Sequence, residues 1–222
     1  MWIENDLQPP DPSSPAMTRF IESMKIGYIE WHDGIGYDLE ALKEFSPSEL
    51  DYIEALLLSR KDADWRDVEA LAALRTPAAI QALKDCLESP NLDCRLFAVR
   101  YLKEMAILDR VDHVVVATLP LTKIGEGMTL ALALARDYPS EAIKHIVLWC
   151  SLNGNESIRV HCVAMALFLY HITKEEFDVN QKIVYEFHEP DRSKRIEPFT
   201  RLCRMIKIDP KPFLNPLHPL IA

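Results

Sequence analysis

Apolar side chains recur along this chain at intervals of three and four, and between residues 76 and 172 one apolar pattern runs three times at a spacing of about 32. Displaced by 31 and then 32 positions, Ile80, Leu83 and Leu87 of "TPAAIQALKDCL" fall on Val111, Val114 and Thr118, then on Ile143, Ile146 and Cys150. In the segment that follows, Arg95, Ala98, Val99 and Leu102 map at two steps of 32 onto Gly127, Leu130, Ala131 and Leu134, then onto Arg159, Cys162, Val163 and Ala166. Such intervals mark one face of a helix, so each repeat is predicted to be a helical hairpin. A lone hairpin cannot bury its own apolar stripe; about three must stack and share a core.

The same reading extends outward from the repeats. Phe20, Ile21, Met24 and Tyr28 predict an amphipathic helix over 17–28. Two glycines around Ile35 then break it. Ser46-Pro47-Ser48-Glu49 has the form of a capping box with proline in the first turn, opening a helix to about Ser59. A helix over 64–74 turns Val68, Leu71 and Ala72 inward, and Thr76-Pro77 caps the first repeat. Beyond the repeats, Thr173 with Glu176 predicts a helix over 174–188, "EPDRSKRIEP" a charged turn, and Phe199, Leu202, Cys203 and Ile206 a last helix. The ends are rich in proline. Residues 1–16 are expected to form an extended arm, and the tail over 209–222 to pack along the last unit as a cap, leaving 17–208 as a single helical domain.

Glycine is scarce, at 6 residues, and strand-like alternation is hard to find while Ala and Leu recur at helical spacing, so the predicted class is all-α. The second helix of the first repeat, Asp93-x-Arg95-x-x-Ala98-Val99-x-x-Leu102, resembles that of HEAT repeats, with "ESIRVHCVAMAL" a weaker copy. The resemblance implies a HEAT-like α-solenoid of stacked antiparallel pairs in which Asp93, Arg95 and Arg159 tie units together. Arg159 and His161 interrupt the longest apolar run, and the first residues lack a basic start followed by an apolar block. A cytoplasmic protein is expected. The five cysteines form an odd set with no C-x-x-C pair and read as buried free thiols.

Candidate chemistry is sparse. His32 beside Asp33 has the composition of a base and its orienting carboxylate, but adjacent residues rarely meet in that geometry. The histidines lack the close pairing of metal ligands, and HEAT-like metal hydroxylases use repeated His-Glu pairs where this chain has only His188-Glu189. No metal, cofactor or catalytic residue is expected. Trp65 with Asp67 and Trp149 resembles the aromatic and acidic set of the HEAT-like alkylpurine DNA glycosylases, which keeps an enzymatic alternative open.

Charge changes the picture most. Residues 1–70 hold 16 acidic against 6 basic side chains, whereas residues 71–222 are nearly balanced, with 18 against 19. An acidic lobe repels a phosphate backbone and steers a basic partner over roughly 8 Å at physiological salt. Nucleic acid is therefore not the expected ligand, and no membrane partner is expected. Aromatics that anchor and carboxylates that steer suit protein recognition, and the candidates are Trp31, Asp33, Tyr37, Asp38, Glu40, Trp65 and Asp67. All but Glu40 are expected to form an exposed set. The segments "DGIGYDLEAL" and "DWRDVEALAAL" also resemble bacterial HEAT-like proteins that act as immunity partners in polymorphic toxin systems. That resemblance, over roughly 17–102, implies a protein that neutralises a cognate toxin; a scaffold or assembly adaptor is the alternative.

Overall fold

The computed structural model describes Pro10 and residues 13–217, and all regular structure among them is helical. Two compact units divide the chain, one up to Leu108 and one from Asp109 on, where the sequence reading treats 17–208 as one domain.

The first unit holds α1 (Pro15–Ser23), α2 (Tyr28–His32), α3 (Pro47–Arg60), α4 (Trp65–Leu74), α5 (Pro77–Asp85) and α6 (Leu92–Glu104). The capping box at α3 forms as predicted, with the Glu49 amide donating to Ser46 Oγ and the Ser46 amide to Glu49 Oε2. The same carboxylate accepts from the Ser14 amide at 2.8 Å, fixing the start of α1. Hydrogen bonds from Ser14 and Ser46 lower its pKa to about 2. The core joins Phe20, Ile53, Leu57, Val68, Leu71, Leu83, Ala98 and Leu102, with Phe20 edge-on to Tyr37 and Phe45.

The second unit holds α7 (Asp112–Thr118), α8 (Met128–Asp137), α9 (Glu141–Asn153), α10 (Glu156–Leu169) and α11 (Arg192–Ile206). Consecutive helices touch where the three hairpins are predicted, α5 with α6, α7 with α8, and α9 with α10. The last is apolar nearly all round: Ile143, Ile146, Val147, Leu148, Cys150, Val163, Met165 and Leu167 are buried, as befits helices packed on several sides. At its turn Gly154 is required by close approach, since a Cβ there would lie 2.5 Å from the Cys150 carbonyl oxygen. All five cysteines are free and buried.

Three helices end alike. After α6, α10 and α11 a non-glycine residue takes the left-handed conformation (Ala106, His171, Lys207). The next amide bonds back to the helix: Ile107 to the Leu102 carbonyl, Ile172 to Leu167 and Ile208 to Cys203, each at 2.9 Å. This is the Schellman arrangement, in which an apolar residue beyond the cap folds back onto the last turn.

Several expectations need correction. The helix over 17–28 is two helices, because α1 stops at Ser23 and Gly27 is extended before α2. The predicted helix over 174–188 survives only as a 3-10 helix, Lys182–His188. Asp178 is the reason: its carboxylate takes the Asn180 amide at 2.9 Å and the Gln181 side chain, a local turn that competes with helix propagation. The charged turn is instead largely the first part of α11, opened by Asp191 accepting from the Ser193 amide. Residues 1–9, 11 and 12 of the proline-rich arm and 218–222 of the tail lie outside the described residues. Within the tail, Phe213 is buried against Phe199 and His145, and its carbonyl accepts from Asn153.

Candidate functional site

The seven candidate residues fall into two sets. Tyr37 and Asp67 are buried, not exposed as expected, and meet across 30 positions of sequence: the Tyr37 hydroxyl donates to Asp67 Oδ1 at 3.0 Å. Arg60 Nε shares that oxygen at 3.2 Å, while Asp67 Oδ2 has no hydrogen-bond partner among the described residues. Burial raises the Asp67 pKa against the pull of Arg60, and raises that of Tyr37 well above its ordinary value, with the Asp67 charge adding to the shift. Burial is tolerated because the hydroxyl and Arg60 both donate to Oδ1, which leaves Oδ2 as the unsatisfied atom of the pair. Trp65 is half-buried, stacked on Phe97 at 4.7 Å, with the Arg66 guanidinium 4.6 Å from its ring centre. In the glycosylase-like set, then, Asp67 is enclosed and Trp65 is stacked on a protein ring; Trp149 is buried in the second unit.

The others are at the surface. Trp31 is 66% exposed, and Asp33 is exposed with His32 Nδ1 at 2.8 Å from its Oδ1. Asp38 caps the 3-10 helix Leu39–Glu44 and pairs with Arg19 at 3.4 Å. Glu40 is exposed and pairs with Lys43.

What the sequence did not reveal is how Trp31 is carried. It belongs to α2, a helix of five residues that buries none of them. So short a helix is not stable alone. Glu30 folds back to accept from the Gly27 amide at 2.9 Å, and Gly34 turns the chain through a positive φ of 64°. The fastening comes from Arg66, 2% exposed at the start of α4. Its guanidinium donates to the carbonyls of Glu30 (3.1 Å) and Ile35 (2.6 Å), so it grips both ends of the turn, and it is itself held by both oxygens of Asp64 at 3.1 Å. Four exposed apolar side chains ride on the fastened segment: Tyr28 (74%), Ile29 (65%), Trp31 and Ile35 (48%). Tyr28 and Trp31, three apart, share a face with their rings 6.1 Å apart. Between residues 26 and 37 there is no Lys or Arg, while Glu30 and Asp33 are acidic.

Among the described residues no group of three or more His, Cys, Asp and Glu is placed to hold a metal ion, and no helix is long and apolar enough to cross a membrane. Comparison with known protein families, with curated proteins and with solved structures finds no match.

Proposed function

We propose that this chain is a non-enzymatic, HEAT-like binding protein that captures a basic protein through its acidic N-terminal part, in the manner of an immunity protein neutralising a bacterial toxin domain. The observation that carries the reading is the confinement of the charge: 16 acidic against 6 basic side chains before residue 71, with Asp33 and Glu40 at the surface. Carboxylates lining such a surface occupy the places that phosphates take in the groove of a basic nuclease, and so block its substrate.

The test is a pull-down with the tagged protein from the organism that carries the gene, read by mass spectrometry at low and then moderate salt. The expected result is one basic protein, released by salt, whose expression arrests growth unless this chain is co-expressed. Recovery of a neutral cellular complex overturns neutralisation, and recovery of nucleic acid alone overturns the charge argument. With the partner in hand, charge reversal at Asp33, Asp38 and Glu40 together is expected to slow association about tenfold and flatten its salt dependence. An unchanged on-rate removes this face from the interface. Asp67 is left out of that set because it is buried.

The adaptor reading has one observation in its favour. The second unit also exposes large apolar side chains, Ile124 (69%), Val179 (62%) and Leu121 (55%), which suits a protein with more than one partner.

A further inference from the structure

Resting on the reading of this chain as a binder of basic proteins, we infer that the segment 28–35 is its docking anchor, and that the occupant is a basic protein offering an apolar slot flanked by Lys or Arg. The slot receives Trp31 and Tyr28; the flanking cations reach Glu30 and Asp33.

Three features point the same way. The first is unpartnered apolar surface. Tyr28, Ile29, Trp31 and Ile35 occupy a stretch of eight residues and are 74%, 65%, 66% and 48% exposed, and α2 contributes no residue to the core of its own unit. The second is preorganisation. Arg66, fully desolvated, donates to the carbonyls at both ends of the turn, so the backbone beneath the aromatics is fixed before any partner arrives. Binding through a fixed turn avoids most of the cost of ordering a loop. The helix so fastened buries none of its own five residues.

The third feature selects the occupant. A second copy of the chain would bring together two surfaces of the same negative sign, Glu30 and Asp33 facing their equivalents with no Lys or Arg between residues 26 and 37 to offset them. A basic surface completes those carboxylates instead. Large aromatics at the centre with charges at the rim is the usual anatomy of a protein-binding hot spot. Arg66 is a positioning residue in this scheme. It contacts no partner and acts by holding Glu30 and Ile35.

The experiment places a photo-reactive p-benzoylphenylalanine at position 31, at 29, and, in separate chains, at Leu121 and Val179 of the second unit, in the organism that carries the gene. The expected result is a cross-link from 31 and 29, absent from 121 and 179, to one basic protein at a peptide containing Lys or Arg beside apolar residues. With that protein purified, Trp31→Ala is expected to weaken binding at least tenfold and Trp31→Phe much less. Arg66→Met is expected to weaken it with Trp31 intact. Cross-linking of the basic protein from 121 or 179 but not from 31 and 29 overturns the anchor while leaving the binding reading in place. A cross-link between two copies of this chain overturns the basic occupant. Absence of any partner from all four positions overturns the binding reading itself.

Discussion

Arg66 in the first unit and Arg195 in the second are the same device put to different ends. Both are almost wholly buried, at 2% and 4% exposure, and both spend their guanidinium on backbone carbonyls. Arg195 donates to Leu152, Glu189 and Pro190, tying the end of α9 to the segment before α11. Arg159 beside it donates to Phe187 and Gly154. The bonds to Leu152, Phe187 and Gly154 are buried, while Glu189 and Pro190 lie nearer the surface. Burial lowers the pKa of Arg195, and the charge of Arg159 lowers it further, so the second unit carries two desolvated cations close enough to repel in order to close a core. Arg66 holds a turn whose side chains face out. A costly buried cation explains itself when it seals a core; when it fixes an exposed aromatic turn, the product is the turn.

That difference is open to a direct break. Arg195→Met leaves the enclosed Leu152 carbonyl without its donor and frees the segment at Glu189 and Pro190, and is expected to destabilise the protein by about 3 kcal/mol. Urea denaturation reads this, and hydrogen exchange should show protection lost across α9, α10 and α11 together. Arg66→Met is expected to cost less, about 1–2 kcal/mol, because the Glu30 and Ile35 carbonyls regain water once the turn lifts away. Exchange should then rise for the Trp31, Asp33 and Ile35 amides, which bond to Gly27, Ile29 and Glu30, and stay unchanged in the core of α4. Loss of protection throughout the first unit would make Arg66 a core residue like Arg195 and remove the contrast.

The sequence shows one of these arrangements and hides the other, for physical reasons. Hairpins α5 with α6 through α9 with α10 are legible because their packing repeats every helical turn, so Leu83, Val114 and Ile146 declare themselves by interval alone. Arg159 is singled out in the sequence only by the resemblance to HEAT repeats, which implies a tie between units; its observed partners are the Phe187 and Gly154 carbonyls. Arg66 lies off the inward-facing positions of the helix over 64–74, and the carbonyls of Glu30 and Ile35 that it holds are main-chain groups, which no residue type announces. Tyr37 and Asp67 fail in the same way: each looks like a surface residue until the pairing across 30 positions is known. The expected helix over 174–188 fails for the opposite reason, a local one. Thr173 with Glu176 has the form of a cap, but the Asp178 carboxylate is a better partner for the Asn180 amide than a helical carbonyl four residues back.

The smallest effect concerns the pair beneath the turn. Asp67 bridges α4 to Tyr37 at the end of the displayed segment, and burial raises its pKa above the ordinary value near 4 even though Arg60 opposes the shift. For an acid whose folded pKa is raised, the folded state holds its proton to higher pH than the unfolded chain does. Its contribution is therefore most favourable below the unfolded value and is lost as pH rises through the folded one. Asp67→Asn removes this titration while Oδ1 still accepts from the Tyr37 hydroxyl. The urea midpoint of the native chain minus that of the variant is thus expected to fall as pH rises from 4 and to level off once the folded carboxylate has ionised. A difference that grew with pH would mean that Arg60 outweighs burial, and that the base of the displayed turn is an ion pair first and an enclosed carboxylate second.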